Sequence, residues 1–577
     1  QLDYGENGRP GSYTDYNPVG GLTDDKSNKK NDVASLRTGV TFGSDKDNFG
    51  VFKGIKLNVN FGLDYRNQSR MSYMNMYHGN QATAGGLLTK YNTRMQSYTF
   101  NQLLSWNRSF GLHSFDVLAG HEFYAYSYEY LKAGKTNLVD GILELRPGTT
   151  LYAADSYTDK YRIESWLGRF NYNYDEKYYF SASLRTDGSS RFHKDHRWGT
   201  FWSIGGNWRI SKEAFMEDVK WVDDLKLRAG YGVTGNQDGL QPYKTLQLYG
   251  ADGQYYNNGS WLTAYKINQN ANPDLKWEST AMLNVGVDFT LFNGRLGGTL
   301  EWYDKRTSDM LYTYSVPTPP YVYGSMMANV GDMSNKGIEL LLNIGVIRKK
   351  DFNWNMSVNL SHNKNEITKL SSEIYTTNRI YTGDPWIRGG SGTTSHVIEE
   401  GRPVGQFFML KCNGIDENGK YIFEDVTGDG KISEDDRTYV GSAQPDLTFG
   451  INNSFTLKNW DLSFFLRGTI GNDVLNGPRM AYGTSAYLIG TNALDDPLIY
   501  DLKESPRICS YYLEDASFVR LDNLSLGYTF NTKNVNWLDK ARVYVAAQNL
   551  FVITGYKGLD PEVEIVRSGQ SAEAAGL

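Results

Sequence analysis

Residues 166–210 are written as three strands in succession, and their patterning constrains this chain more than any other feature. In 166–174, Trp166, Gly168, Phe170, Tyr172 and Tyr174 alternate with Leu167, Arg169, Asn171 and Asn173, so one face is apolar or aromatic and the other mostly polar. Asp175-Glu176-Lys177 turns the chain, after which Tyr178, Phe180, Ala182 and Leu184 alternate with Ser181, Ser183 and Arg185. Past a loop, Trp198, Thr200, Trp202, Ile204, Gly206, Trp208 and Ile210 share a face opposite Ser203, Asn207 and Arg209. Successive strand side chains point to opposite faces, so this period of two predicts sheet with unlike faces.

The same code predicts about sixteen strands, at roughly 36–43, 55–66, 95–108, 112–130, 159–174, 178–187, 198–210, 224–232, 279–291, 295–306, 336–346, 352–363, 446–456, 460–470, 517–530 and 540–551. Many exceed the roughly 5–6 residues of a globular strand and suit the roughly 9–11 that cross a bilayer at a tilt. The connections alternate in length. Short ones fall at 109–111, 175–177, 292–294, 347–351 and 457–459, and long ones at about 67–94, 131–158, 233–278, 307–335, 364–445 and 471–516. Two unlike rims of one sheet characterise outer-membrane barrels, with short periplasmic turns and long external loops. A propeller would repeat its strands about every 40–45 residues, and no such period is visible. A soluble sandwich requires neither the long strands nor the enlarged connections on one side. The expected fold class is therefore all-β, a large transmembrane antiparallel barrel with a polar, lumen-facing side.

Composition narrows the alternatives. No run approaches the roughly 18 apolar residues of a membrane helix. The 42 Tyr, 26 Phe and 13 Trp suit strands and interfacial girdles. A net charge of −6 supplies no basic field for nucleic acid. Cys412 and Cys509 are too few for a disulfide framework and lack metal-ligand spacing; whether they pair is open at this level.

Six segments, in order along the chain, carry a resemblance: Asp187-Gly-Ser-Ser-Arg-Phe192 with the strand after it, Leu225-Lys-Leu-Arg-Ala-Gly-Tyr-Gly-Val-Thr-Gly-Asn236, Asn272-Pro-Asp-Leu-Lys-Trp-Glu278, Asn335-Lys-Gly-Ile-Glu-Leu340, Val426-Thr-Gly-Asp-Gly-Lys-Ile432 and Asn459-Trp-Asp-Leu-Ser-Phe464. Together they resemble SusC-type TonB-dependent transporters over nearly the whole chain. The resemblance implies an outer-membrane barrel of about 22 strands, plugged by an N-terminal domain and capped by a SusD-like lipoprotein that captures glycan or peptide, with import energised through TonB. The sequence departs from that pattern in having no plug, no TonB-contacting segment and no strand after 540–551. Loop parity makes 36–43 an even-numbered strand, and five strands before it with one after Leu577 would complete the family's count. The expectation is most of a barrel, incomplete at both ends, or one piece of a longer polypeptide.

Asp425-Val-Thr-Gly-Asp-Gly-Lys-Ile-Ser-Glu-Asp-Asp436 has the spacing of a calcium loop, on what would be an external loop. Asp425, Thr427 and Asp429 take positions one, three and five, Gly430 makes the turn, Lys431 offers its carbonyl and Asp436 takes position twelve. Thr at three and Asp at twelve predict weak, structural Ca²⁺ binding; the alternative is a glycine-rich turn with solvated acids. His193 and His196 lack further ligands and are expected in a solvated loop, where Asp187-Gly188 and Arg191 shape a turn by local ion pairing. Residues 230–236 imitate a phosphate-binding glycine loop, but no helix follows. Tyr255, Tyr256 and Trp261, or Tyr321 and Tyr323, could stack on sugars or on a protein, or pack within loops or at the membrane interface. No catalytic constellation assembles. The leading expectation is a non-enzymatic importer embedded in outer-membrane lipid; the competing ones are a non-transporting adhesin or glycan-binding β-protein, and a secreted hydrolase.

Overall fold

The protein is described by a computed structural model, which covers residues 18–43, 50, 53–371, 377–385, 387, 392–487, 494, 501–532 and 537–562. Alternation becomes sheet as the sequence predicts. One 16-stranded antiparallel sheet pairs each strand with the next in chain order. Its strands are β1 (Lys26–Gly43), β2 (Ile55–Met74), β3 (Leu87–Phe110), β4 (His113–Thr136), β5 (Thr150–Tyr174), β6 (Tyr178–Ser189), β7 (Trp198–Arg209), β8 (Val222–Asn236), β9 (Glu278–Leu291), β10 (Leu296–Ser315), β11 (Ser325–Arg348), β12 (Phe352–Lys369), β13 (Leu447–Leu457), β14 (Trp460–Ile470), β15 (Phe518–Phe530) and β16 (Ala541–Thr554). β1 and β16 are its two edges.

Register carries each face across the strands. Phe170 lies opposite Ala182, Ala182 opposite Ile204, Ile204 opposite Tyr231, and Tyr231 opposite Leu283. On the other face Asp116 lies opposite Asn171, and Asn171 opposite Ser181. A one-residue slip would exchange these faces throughout, so the hydrophobic pattern holds the register. Trp166, Phe170, Phe180, Leu184, Trp202 and Ile204 are exposed on the apolar face. A patch of this extent is not stable against water and calls for lipid.

The turns on one rim are tight. Asp175 and Glu176 have φ of 53° and 51°, the left-handed region that a type I′ hairpin turn demands and that acidic or amide residues tolerate. At the opposite rim three expected loops are shorter than the sequence suggests, because β2, β3, β4, β5, β10 and β11 run on past the alternating segments. The connections contract to 75–86, 137–149 and 316–324. Several of these extensions are covered by neighbouring loop residues, Leu88 packing with Tyr73 and Leu138, and Ala328 and Val330 with Tyr314, so the simple alternation stops while backbone pairing continues.

The two longest connections, after β12 and after β14, fold together. Phe407, Met409, Leu410 and Tyr421 of the first pack with Leu475, Met480, Leu502, Ile508, Cys509 and Tyr512 of the second in one buried cluster. At its centre the Tyr421 and Tyr512 hydroxyls are hydrogen-bonded at 2.8 Å. The connection after β8 instead raises a hairpin, Leu248–Asn257 with Ser260–Gln269, that pairs only with itself.

Candidate functional site

The polar face of the sheet concentrates the hydrogen-bonding side chains. Asp116 Oδ1 accepts from Arg169 Nη2 at 3.0 Å and Asn171 Nδ2 at 2.9 Å. Towards the long-loop rim, Arg185 donates from Nε to Asp187 at 2.8 Å, and from Nη2 to Ser165 at 3.0 Å and Glu122 at 3.2 Å. The Ser165 hydroxyl also donates to Asp187. Nearer the turns, Asp224 Oδ1 accepts from Arg209 Nε at 2.7 Å and Ser211 Oγ at 2.6 Å. Asp288 pairs with Lys226 at 2.9 Å, and Glu301 accepts from Arg228 and Asn284. Further round, Arg467 pairs with Asp522 at 3.0 Å and Arg542 with Asp461 at 2.9 Å. These arginines are met by carboxylates, so the wall is densely polar but locally near-neutral. Pairs this exposed contribute only about 0–1 kcal/mol each; their effect is to hold long side chains in place.

Two recesses open on this face. One of about 500 Å³ is lined by Asn107, Ser109, Asp116, Asn171, Asn173 and Ser181 among others. The other, about 510 Å³, is lined by Arg37, Asn60, Thr99 and Asn101 among others. Amides and hydroxyls both donate and accept, so such a wall matches the hydrogen-bonding of sugar hydroxyls or of a peptide backbone. The sequence placed Arg169, Asn171, Ser183, Arg185, Asn207 and Arg209 on one polar face, and the pairing agrees. It missed the carboxylate partners, because Asp116 and Asp224 lie 53 and 15 residues from Arg169 and Arg209.

Several of the recognisable segments prove to be joints. Asn272 Nδ2 donates to the Met327 carbonyl at 2.7 Å, while Lys276 and Asn329 exchange two 2.9 Å bonds. This stitches 270–278 to the start of β11. Leu275 is buried with Phe192 and Leu240, and Trp277 packs on Phe192 and Phe201. Gly337 admits a close approach: a Cβ there would stand 2.4 Å from the Tyr303 hydroxyl oxygen and 2.6 Å from the His362 carbonyl. The local ion pairing expected of Arg191 is corrected. Asp187 pairs with Arg185, whereas Arg191 stacks over Tyr161 at 4.0 Å and donates to the Gln237 carbonyl at 3.1 Å.

In 425–436 the acids are turned onto the loop's own backbone. Asp425 accepts from the Gly428 and Gly430 amides at 2.7 and 2.8 Å, and Asp429 from the Lys431 amide at 2.8 Å. Asp436, fully covered, accepts from the Thr427 amide and hydroxyl and from the Ser433 amide. Those amides of Ser433 and Thr427 hold its carboxyl below the usual range. Among the described residues no group of three or more His, Cys, Asp or Glu is arranged to hold a metal ion. His193 pairs with Asp195 at 3.1 Å, and His196 approaches Asp274 at 3.8 Å, so the two do not converge. Residues 230–236 lie in β8, hydrogen-bonded to β9, which removes the phosphate-loop reading. Tyr255, Tyr256 and Trp261 are exposed on the free hairpin, and Tyr323 is exposed beside β11.

The family described as TonB-dependent receptor-like, β-barrel matches residues 1–550. The chain belongs to that family. This TonB-dependent receptor barrel is 30% identical over 560 residues to TonB-dependent receptor SusC of Bacteroides thetaiotaomicron, covering 94% of this chain and 54% of that protein. It is 32% identical over 509 residues to TonB-dependent receptor P3 of Formosa agariphila, covering 82% of this chain and 49% of that one. Among solved structures it resembles the RagAB peptide importer in its open-open state, with a TM-score of 0.82 and 27% identity over 97% of this chain and 61% of that chain. The chain thus spans about half the length of these curated relatives. It is an outer-membrane protein of SusC type.

Proposed function

We propose that this receptor barrel forms the wall of an active importer of glycans or peptides, its long connections outside the cell and its tight turns in the periplasm. Passage through the lumen is controlled by a plug that TonB remodels from the periplasm, and cargo is delivered by a SusD-like surface lipoprotein. The observation that carries this reading is the continuous polar face from β1 to β16, rich in paired charges and amides, opposite a face fit for lipid. Its wall binds by many exchangeable hydrogen bonds, which suits a polar cargo that must also leave. The family is one of receptors and transporters, and no enzymatic role is assigned. The test is uptake of labelled oligosaccharide and peptide panels by cells with and without the gene. Loss of uptake of one class, abolished equally by dissipating the proton-motive force, is expected. Unchanged uptake with lost surface glycan binding would instead establish the adhesin.

The loop 425–436 is proposed to take Ca²⁺ weakly, through Asp425, Thr427, Asp429 and the Lys431 carbonyl, in a structural role. The fit is partial, since Asp436 is committed to three internal donors. Calorimetry showing no Ca²⁺-dependent heat, or heat unchanged in Asp425→Asn and Asp429→Asn, would remove the ion from the account.

A further inference from the structure

The two cysteines lie far apart in sequence, in different connections, yet meet in the shared core of the loop body. Leu410 forms a parallel bridge with Cys509, and the Cys412 amide donates to Ser510 Oγ at 2.8 Å. The segments 410–412 and 509–510 therefore run side by side, and the two cysteines, both free, sit in one core, with Cys412 packed against the buried cluster that contains Cys509. Their surroundings differ. Cys509 is fully buried, whereas Cys412 is only partly covered, and its Sγ lies 3.2 Å from the Gly414 carbonyl. Cys412 lies opposite Phe423, and the exposed guanidinium of Arg507 rests over the Phe423 ring at 5.0 Å, placing a positive charge beside the pair.

We propose that Cys412 and Cys509 form a thiol–disulfide exchange site for a low-molecular-weight disulfide, Cys412 attacking and Cys509 resolving, whose oxidised form clamps the two long connections together. The Cys412 thiolate attacks one sulfur of the reagent. The reagent's S–S bond breaks, one half leaves as a thiolate that takes up a proton, and a mixed disulfide remains on Cys412. The Cys509 sulfur, giving up its proton, then attacks Cys412 Sγ and expels the other half. Two protein thiols are oxidised and one small disulfide is reduced to two thiols. The asymmetry suits these roles: the neighbouring Cys509 side chain brings the Cys412 thiol down to about 7, and burial pushes Cys509 up. An attacking sulfur must be a thiolate and reachable. The resolving sulfur need only face it. This site is independent of the direction or cargo of transport.

The test treats the full-length receptor, folded in detergent, with oxidised glutathione, then alkylates and maps the peptides by mass spectrometry. The expected result is loss of both free thiols and recovery of a peptide pair joined through Cys412 and Cys509, reversed by dithiothreitol. Cys509→Ala should trap glutathione on Cys412, whereas Cys412→Ala should leave Cys509 unmodified. In the wild type the reaction should quicken from pH 6 to 8. Recovery of both thiols free from the folded receptor, a link that forms only in guanidinium, or glutathione on Cys509 in Cys412→Ala as readily as on Cys412 in Cys509→Ala would each overturn the proposal. The wild-type peptide map decides the matter even where a variant fails to fold.

Discussion

At the scale of single residues, what matters is the face on which a side chain emerges. Phe170 and Asn171 are chain neighbours, but one belongs to the exposed aromatic row and the other bonds Asp116 on the opposite, polar face. Phe170→Arg should therefore cost about 2–4 kcal/mol near mid-depth of the bilayer and reduce the heat-modifiable, folded band from outer membranes. Asn171→Lys should leave that band nearly unchanged; equal damage from both would contradict the face assignment. Gly337 is limiting for a different reason. Gly337→Ala pushes a methyl onto the Tyr303 hydroxyl and the His362 carbonyl, an overpacking expected to cost about 1–3 kcal/mol. Its readout is a lower temperature for loss of the folded band, while Gly324→Ala, where a Cβ meets nothing within 4 Å, should not shift it.

Among the elements, those that depend on the sheet can be separated from those that do not. The hairpin Leu248–Asn257 with Ser260–Gln269 pairs only with itself, so excising 248–269 with a short linker should preserve barrel assembly, measured by far-ultraviolet circular dichroism and heat-modifiability. Loss of assembly would mean the hairpin is a folding element. The 425–436 loop has a built-in pH limit. Its Asp436 carboxyl is held below its usual value by backbone donors, so its contribution is present above the unfolded value of about 3.9 and is lost as pH falls through the lower folded value. The protection of the Thr427 and Ser433 amides, taken relative to intrinsic exchange at the same pH, should fall below about pH 4; protection indifferent to that change would show that the carboxylate does not hold the loop.

For the whole molecule, the sheet's strength is distributed. Strands β3 and β4 are paired on both sides along most of their length, whereas among the described residues β1 and β16 are each paired on one side and are mostly exposed. In the 577-residue chain, amides on the open sides of β1 and β16 should exchange faster than those of β4 by several orders of magnitude, as local opening approaches zero cost at such edges. Equal protection would show that another strand covers them. Long unpaired edges are templates for further pairing, which makes them the positions where additional chain would extend the wall.

The strand pattern was legible because lipid on one side and a wet lumen on the other impose opposite demands on alternate residues. All sixteen strands expected from alternation are present, and 460–470 and 178–187 begin where the sequence placed them. The pattern also showed which residues share a face. It faded where loop residues cover the sheet: β3 begins at Leu87, not 95, and Leu88 there is buried against Tyr73 and Leu138. Pairing across long separations was decided only in three dimensions. The partners of Arg191, Tyr161 and Gln237, lie 30 residues before it and 46 after it, and nothing local marks them. Cys412 and Cys509 likewise meet only because the two longest connections share one core. Alternation is a local consequence of two solvents, and a single chain records it directly. Contacts between distant loops depend on how the sheet brings their ends together, and the tertiary structure alone supplies that.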